Sequence, residues 1–408
     1  MKKLLSLLLC LCMLVALLAG CSSDEKTPTE PSDGSESAAE TIKIGINYEL
    51  SGAVATYGNS SVEGIEMAFE KINAAGGING KLIEAVKYDN KSEASEATTL
   101  ATRLMTQDKV LAVVGPATSG AFKATIPVAN NNKIPVASGS ATADDVTGVF
   151  QFDDEGNLVL DAGGKPQGLH EYAFRICFSD SFQGSYMATF AKNTLGANKA
   201  VLITDTSSDY GKGLARNFIA TFTEAGGTIV AEEGYVEGDS NFNAIITRLT
   251  GLDFDVIFIP GYYGEAGLII KQARDQGIAV PVLGADGFDS PDLLNLAGAD
   301  ALNDVYFSNH YSSLSESAVV TEFISGFKAK YNRDPDAFNA LGYDLGMFVA
   351  DAVARASAET GEAVKEAMEA TTSFVGVTGS FSVDEQHNPV KELVVIKLVD
   401  GVQAEVVS

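Results

Sequence analysis

Tryptophan is absent from the 408 residues, histidine occurs three times and cysteine four times. Each shortage excludes something. His170, His310 and His387 stand in unrelated contexts without metal-ligand spacing, so each reads as a solvent-facing or structural residue. No GxGxxG follows a strand, and neither GxxxxGKS/T nor HExxH occurs, so no phosphate-binding loop and no hydrolytic zinc site is encoded. No catalytic constellation stands out, the chain reads as a protein that is not an enzyme, and no cofactor or metal is expected. Basic residues are also scarce: 28 Lys and Arg face 54 Asp and Glu, a net charge of −26. So acidic a chain repels phosphate backbones, which argues against a nucleic-acid partner. After Ala19 no apolar run approaches twenty residues, so no later segment reads as a membrane span.

What is present at the start is an address. Lys2 and Lys3 precede an uncharged, Leu-rich stretch from Leu4 to Ala19, the pattern of an export signal spanning residues 1–20. It ends Leu18-Ala19-Gly20-Cys21, which resembles the bacterial lipobox and implies a diacylated Cys21 on the outer face of the cytoplasmic membrane. Cys10 and Cys12 then belong to the discarded signal. Only Cys177 remains in the folded part, which excludes an intramolecular disulfide there. Cys177 follows Ile176 in an apparent strand and reads as a buried structural thiol. Residues 22–40 contain no Ile, Leu, Val or Phe and six acidic residues, so residues 21–40 are expected to form a flexible tether.

Order begins abruptly at Thr41. Ile42, Ile44 and Ile46 alternate as in a strand, and Val62, Ile65, Phe69 and Ile72 recur at helical spacing up to Gly76-Gly77. A strand at Leu82 to Tyr88 and a helix with Ala97, Leu100, Ala101 and Leu104 on one face follow. Val110 to Val114 is apolar throughout, as in a strand covered on both faces of a parallel sheet. A helix from Ser119 and a strand from Ile134 to Ala137 complete the unit. The same rhythm restarts after residue 180, with strands at 200–204, 228–231, 256–260 and 280–283. Helices fall between them, at 211–224, 243–249 and 265–276. Phe150 to Asp161 reads as a hairpin around Asp154-Glu155-Gly156-Asn157, and helices at 316–331 and 337–356 precede alternating strands from Gly379 to Val407. Strict alternation repeated twice predicts an α/β protein of two Rossmann-like lobes with parallel sheets.

Open α/β sheets bind ligands at the carboxyl ends of their strands. Gly115-Pro116-Ala117-Thr118-Ser119-Gly120 follows one buried strand and opens a helix; Ser138-Gly139-Ser140-Ala141-Thr142 follows the next. Two hydroxyl-rich turns on adjacent strands, one at a helix N-terminus, can converge on a carboxylate. An ammonium would need a side-chain carboxylate elsewhere.

From Thr41 to the C-terminus the chain resembles the branched-chain amino-acid-binding proteins, the Leu/Ile/Val receptors of ABC importers, which have the type I periplasmic binding fold. The matching segments are Leu50-Ser51-Gly52 through Tyr57-Gly58, Ile72 through Gly80, Val86-Lys87-Tyr88-Asp89, Asp180 with Gln183-Gly184, Asp209 through Ala215, and Gln272-Ala273-Arg274 with Gly277. The resemblance implies that Ser119 and Thr142 hold a ligand carboxylate by their hydroxyls, and that Ser140, with Ala141 beside it, contributes main-chain groups. It implies that Asp286 takes the ammonium and that Tyr262 reaches the ligand from the second lobe. Tyr57 and Phe338 would wall the side chain, with Tyr210 and Asp180 near the cleft. It further implies lobes of 41–178 with 311–391 and 179–310 with 392–408, joined by a three-segment hinge. The partners implied are an amino acid, branched-chain in particular, and an ABC permease, the receptor itself being a monomer.

Plain structural alternatives stand beside these roles. Ser119 and Thr142 could cap their own turns, Asp286 could be a turn residue, and Tyr57, Tyr262 and Phe338 could be packing aromatics. Another small carboxylate or amide as ligand, or a sensory module, are the rival functions. The chain also departs from the family pattern: Asp286 replaces a glutamate, Ser140 replaces a common alanine, and the stretch between Thr147 and Arg175 is longer than usual.

Overall fold

The computed structural model describes residues 40–406 except Asp154 and Gly156, and from Glu40 onward the chain is one compact unit. The signal segment, Cys21 and the tether up to residue 39 lie outside the described residues.

In chain order the first half runs β1 (Thr41–Tyr48), α1 (Ala55–Ala74), β2 (Leu82–Asp89), α2 (Ala94–Arg103), β3 (Ala112–Val114), α3 (Ser119–Asn132), β4 (Val136–Ser138) and β5 (Ala173–Arg175). These strands form one sheet in the order β2-β1-β3-β4-β5, parallel throughout. The second series is α4 (Asp180–Asn193), β6 (Lys199–Asp205), α5 (Asp209–Glu224), β7 (Thr228–Tyr235), α6 (Asn243–Leu249), β8 (Val256–Phe258), α7 (Tyr263–Asp275), β9 (Val282–Gly284), α8 (Pro291–Ala297) and β10 (Val305–Asn309). The rest is α9 (Ala318–Tyr331), α10 (Ala337–Arg355), α11 (Gly361–Glu369), β11 (Phe374–Gly376), β12 (Gly379–Phe381), β13 (Val394–Val399) and β14 (Val402–Val406). The second sheet has the order β14-β13-β10-β9-β8-β6-β7, with only β13 and β14 antiparallel to their neighbours. Among the described residues, no helix is long and apolar enough to cross a membrane.

Each sheet is covered on both faces, which explains the unbroken apolar runs. In β3, Ala112 and Val114 pack with Ile65 of α1 and Phe348 of α10, whereas Val113 faces Phe122 and Ile126 of α3. In β6, Val201 and Ile203 face α6 and α7, and Ala200 and Leu202 face α4 and α5. Alternate side chains point to opposite faces, so a strand buried on both loses its hydrophobic alternation. Burying each such Ile, Val, Leu or Phe stabilises the fold by about 1.5–3 kcal/mol. Helix α10, though late in sequence, packs on α1; a Cβ at Gly64 would lie 2.1 Å from the Asn339 carbonyl oxygen, so the two backbones approach closely.

Several expectations change in detail. The strand expected from Val110 shrinks to β3, because the Val110 N–H bonds the Leu104 carbonyl and closes the preceding helix end. The stretch after Thr147 is not a regular hairpin: isolated bridges pair Gly148 with Leu169, Phe152 with Leu158, and Leu160 with Pro166. The C-terminal strands are interrupted between Phe381 and Val394. Strand β10 and helix α11 were not anticipated.

Candidate ligand-binding cleft

The first wall is two turns stitched together. Gly115 leaves β3 at φ +86°, a left-handed conformation suited to glycine. The Ser138 hydroxyl donates to the Pro116 carbonyl at 2.7 Å and the Ser140 hydroxyl to Ala117 at 3.0 Å. Ser119 is not the N-cap of α3; Thr118 is, and its hydroxyl donates to Glu49 instead of capping the helix. Ser119 Oγ accepts from the Ala143 N–H at 3.0 Å, which leaves its own hydrogen free to donate. Fully buried Glu49 accepts from the N–H groups of Ala117 and Thr118 at 3.0 and 3.1 Å. Burial raises its carboxyl above the usual range, against those hydrogen bonds. The first N–H groups of α3 lack intrahelical acceptors and carry the positive end of the helix dipole.

The second wall carries charge. Asp286 sits in the turn after β9 and is 4% exposed. Its Oδ1 accepts from the Tyr210 hydroxyl at 2.7 Å and from Gln183 Nε2 at 3.1 Å, and its Oδ2 lies 3.2 Å from His310 Nε2. Burial pushes the His310 imidazole below its ordinary value of 6.5, although Asp286 pulls the other way, so the ring serves as a neutral donor. The same Gln183 amide donates to Asp180 at 3.1 Å. Burial, then the charge of Asp286, drives the Asp180 carboxyl well above the usual range. Asp286 is thus a desolvated carboxylate answered by three uncharged donors.

Between the walls lies a tight cavity of about 10 Å³. It is lined by Tyr57, Ala117, Thr118, Ser119, Ser140, Tyr210, Tyr262, Asp286, Gly287 and Phe338. No Lys or Arg is among them. Tyr57 stacks on Phe338 at 4.2 Å and meets Tyr262 edge-on at 5.6 Å, while Tyr262 stacks on Tyr210 at 5.0 Å. The Tyr57 hydroxyl donates to the Gly287 carbonyl and so joins the two walls. Farther out, Thr56 donates to Asp292 at 2.6 Å, Lys123 bridges Asp145 and Asp209 at 2.6 and 2.7 Å, and Arg216 pairs with Asp144 at 3.2 Å. The cleft is therefore closed in this structure.

Of the residues singled out in the sequence, Tyr57, Ser119, Ser140, Tyr210, Tyr262, Asp286 and Phe338 line the cavity. Ala141, Thr142 and Asp180 are fully buried and stand outside its lining. The Thr142 carbonyl accepts from the Asp180 N–H at 2.8 Å, and the Thr142 hydroxyl has no hydrogen-bond partner among the described residues. Sequence reasoning missed Glu49 behind the first wall and the roles of Gln183 and His310 behind Asp286. His310 directly follows β10, and recognising that strand would have placed it at a carboxyl end beside the cleft.

The family model described as periplasmic binding protein matches residues 41–403. The chain belongs to that family. It is 42% identical to the branched-chain amino acid transporter substrate binding protein of Streptococcus pneumoniae, solved in complex with isoleucine, with a TM-score of 0.82 over 90% of this chain and 99% of that one. A leucine binding protein of Thermotoga maritima superposes with a TM-score of 0.81 at 33% identity, over 90% and 99% of the two chains. The leucine-, isoleucine-, valine-, threonine- and alanine-binding protein of Pseudomonas aeruginosa is 29% identical over 350 residues, 86% of this chain and 87% of its own length. The architecture is the type I periplasmic binding fold, and these relatives are solute-binding proteins.

Proposed function

We propose that this chain is the extracytoplasmic receptor of an ABC importer, capturing a branched-chain amino acid between its lobes and delivering it to a permease in the cytoplasmic membrane. One observation carries the reading: the polar groups of the cavity are divided by sign between the walls. Hydroxyls and a helix N-terminus lie on one side and a desolvated carboxylate on the other, with aromatic rings between. A zwitterion satisfies both walls at once. In this reading Ser119 and Thr142, with the backbone of Ser140 and Ala141, hold the ligand carboxylate. Asp286 takes the ammonium, supported by Tyr210 and with Asp180 nearby, and Tyr57, Tyr262 and Phe338 enclose the side chain. A ligand without an amine would leave Asp286 buried without a counter-charge, at a cost of several kcal/mol, so a simple carboxylate or amide fits less well.

The lobes in this proposal are residues 41–178 with 311–391 and residues 179–310 with 392–408, and closure brings the sign-divided walls together. Cys21 carries the lipid anchor, residues 21–40 form the tether, the receptor is a monomer, and it performs no covalent chemistry on its ligand. A thermal-shift screen of the full chain against the twenty amino acids tests the reading, using an extrinsic dye because the chain has no Trp. Ligand at about a thousand times Kd should add roughly 4 kcal/mol of stability. Leucine, isoleucine and valine should give the largest shifts. No shift from any amino acid would sink the proposal.

A further inference from the structure

Helix α1 reaches the cleft on a turn tied to its own wall. Asp89, at the end of β2, accepts from the Leu50 and Ser51 N–H groups at 3.0 and 3.1 Å and from the Ser51 hydroxyl at 2.7 Å. The Ser92 hydroxyl donates to the Ser51 carbonyl at 2.8 Å. The helix that follows is 20 residues long, yet no side chain caps it at Val54 and its first turn holds no acidic residue. A helix N-terminus carries partial positive charge and N–H groups without intrahelical acceptors, so a carboxylate nearby is stabilising. Here the carboxylate comes from the opposite wall: Thr56 Oγ1 donates to Asp292 Oδ2 at 2.6 Å.

Three further hydrogen bonds join the same turn to the second wall. The Tyr57 hydroxyl donates to the Gly287 carbonyl and accepts from the Tyr263 N–H at 3.3 Å, and the Tyr263 hydroxyl donates to the Ala53 carbonyl at 3.3 Å. The rings of Tyr57 and Tyr263 meet edge-on at 5.0 Å. Neither Thr56 nor Tyr263 lines the cavity. We infer that the start of α1 is a clasp that holds the cleft shut and sets how fast a ligand leaves, with Thr56 and Tyr263 as positioning residues for closure. The inference rests on the reading of the two walls as lobes that close on an amino acid.

The clasp differs in kind from the ion pairs between the walls. Lys123 with Asp209 and Arg216 with Asp144 join side chains that are a quarter to two-thirds exposed. Such pairs contribute little and are screened by salt. Tyr57 and Tyr263 are buried, and the Thr56 hydroxyl donates to a carboxylate, the stronger class of hydrogen bond. Asp292 is itself held in place: its N–H donates to the Ser290 hydroxyl at 3.1 Å and its Oδ1 accepts from Asn295 at 2.9 Å. A ligand enclosed in a tight cavity leaves only when the walls part, and parting breaks the clasp whichever amino acid is inside. Weakening the clasp therefore raises koff by one factor for every ligand, whereas the effect of Asp286 depends on the amine.

The test is release of radiolabelled L-leucine, L-isoleucine and L-valine from the full chain, chased with excess unlabelled ligand, for the wild type, Thr56→Val, Thr56→Ser and Tyr263→Phe. Valine keeps the shape of threonine without the hydroxyl, and serine restores the hydroxyl. Thr56→Val should raise koff about tenfold, as expected for loss of one hydrogen bond to a carboxylate. Thr56→Ser should return it to within about threefold of wild type. Tyr263→Phe should raise koff about threefold, and it carries the test on its own if Thr56→Val folds poorly. For each variant the factor should agree among the three ligands within about twofold, because neither side chain lines the cavity. Release unchanged by both Thr56→Val and Tyr263→Phe, or factors that differ more than this among the ligands, would overturn the clasp and leave the amino-acid reading intact. No binding of any of the three ligands to the wild type would overturn that reading and this inference with it.

Discussion

Asp286→Asn isolates charge from shape. Alanine at this position would leave one hydrogen each of the Tyr210 hydroxyl and the Gln183 amide, together with His310 Nε2, without the acceptor they now use, and a buried group left unsatisfied costs about 1–3 kcal/mol, so lost binding could not be separated from lost structure. Asparagine keeps an oxygen where Oδ1 accepts from Tyr210 and Gln183. Its amide nitrogen turns toward His310, whose neutral ring can present Nε2 as an acceptor by moving its hydrogen to the unpartnered Nδ1. The fold should survive while the negative charge disappears. Removing one partner of a buried, hydrogen-bonded charge pair costs about 2–5 kcal/mol, which is roughly 30-fold or more in Kd. The assay is a four-way calorimetric cycle with wild type and variant against leucine and its desamino analogue, 4-methylpentanoate. Leucine should lose roughly 30-fold or more on substitution, whereas the analogue, already poor on the wild type, should change little or improve. A coupling of at least about 2 kcal/mol is expected between residue and amine. Equal losses for both ligands would mean that Asp286 only shapes its turn, and the reasoning from the sign-divided walls would be refuted.

Further outcomes test other parts of the account. Cys21→Ser should abolish acylation and leave an uncleaved or released protein; membrane fractionation with unchanged gel mobility would contradict the lipid anchor. If cross-wall contacts such as Lys123 with Asp209 and Thr56 with Asp292 mark a closed clamp, X-ray scattering should give a smaller radius of gyration with saturating leucine than without it; identical profiles at proven saturation would mean a rigid pocket. Burial alone would raise the Glu369 carboxyl, yet contacts with His387, Lys365 and Lys165 hold it at about 2 against an ordinary 4.5. A folded-state value below the unfolded one adds stability at neutral pH that is lost as pH falls from 4.5 toward 2. Urea melts at about pH 6 and pH 3 should show the advantage of wild type over Glu369→Gln shrinking by about 1 kcal/mol after solvent screening; an unchanged gap would contradict the pairing.

Periodicity made most of the architecture readable. Ile42, Ile44 and Ile46 mark β1, and the apolar run ending at Val114 marks a doubly covered strand, because one face or two faces of burial leave different patterns. Strand β10 escaped because it is five residues long and only Val305, Tyr306 and Phe307 carry an apolar signal. Helix α11 did have signals: Thr360 caps it by accepting from the Ala363 N–H, and Ala363, Val364, Ala367 and Met368 fall at helical spacing. At the site, Ser119 and Ser140 were legible because hydroxyl-rich turns follow strand ends in the local sequence, whereas Asp286 was legible only through the family resemblance. Gln183 and His310 were not, because their significance is their contact with Asp286, which for Gln183 spans 103 positions of sequence. Glu49 likewise reaches Ala117 across 68 positions. Local pattern specifies where a ligand can bind; it does not specify which buried groups hold the binding residues in place.

The most direct test of the central claim is equilibrium titration of L-leucine, L-isoleucine and L-valine into the full chain, with the recovered ligand analysed by mass spectrometry. One-to-one saturable binding of at least one of the three, with the amino acid recovered unchanged, is the expected result. Absence of binding by all three, or conversion of the amino acid into a product, would contradict the account.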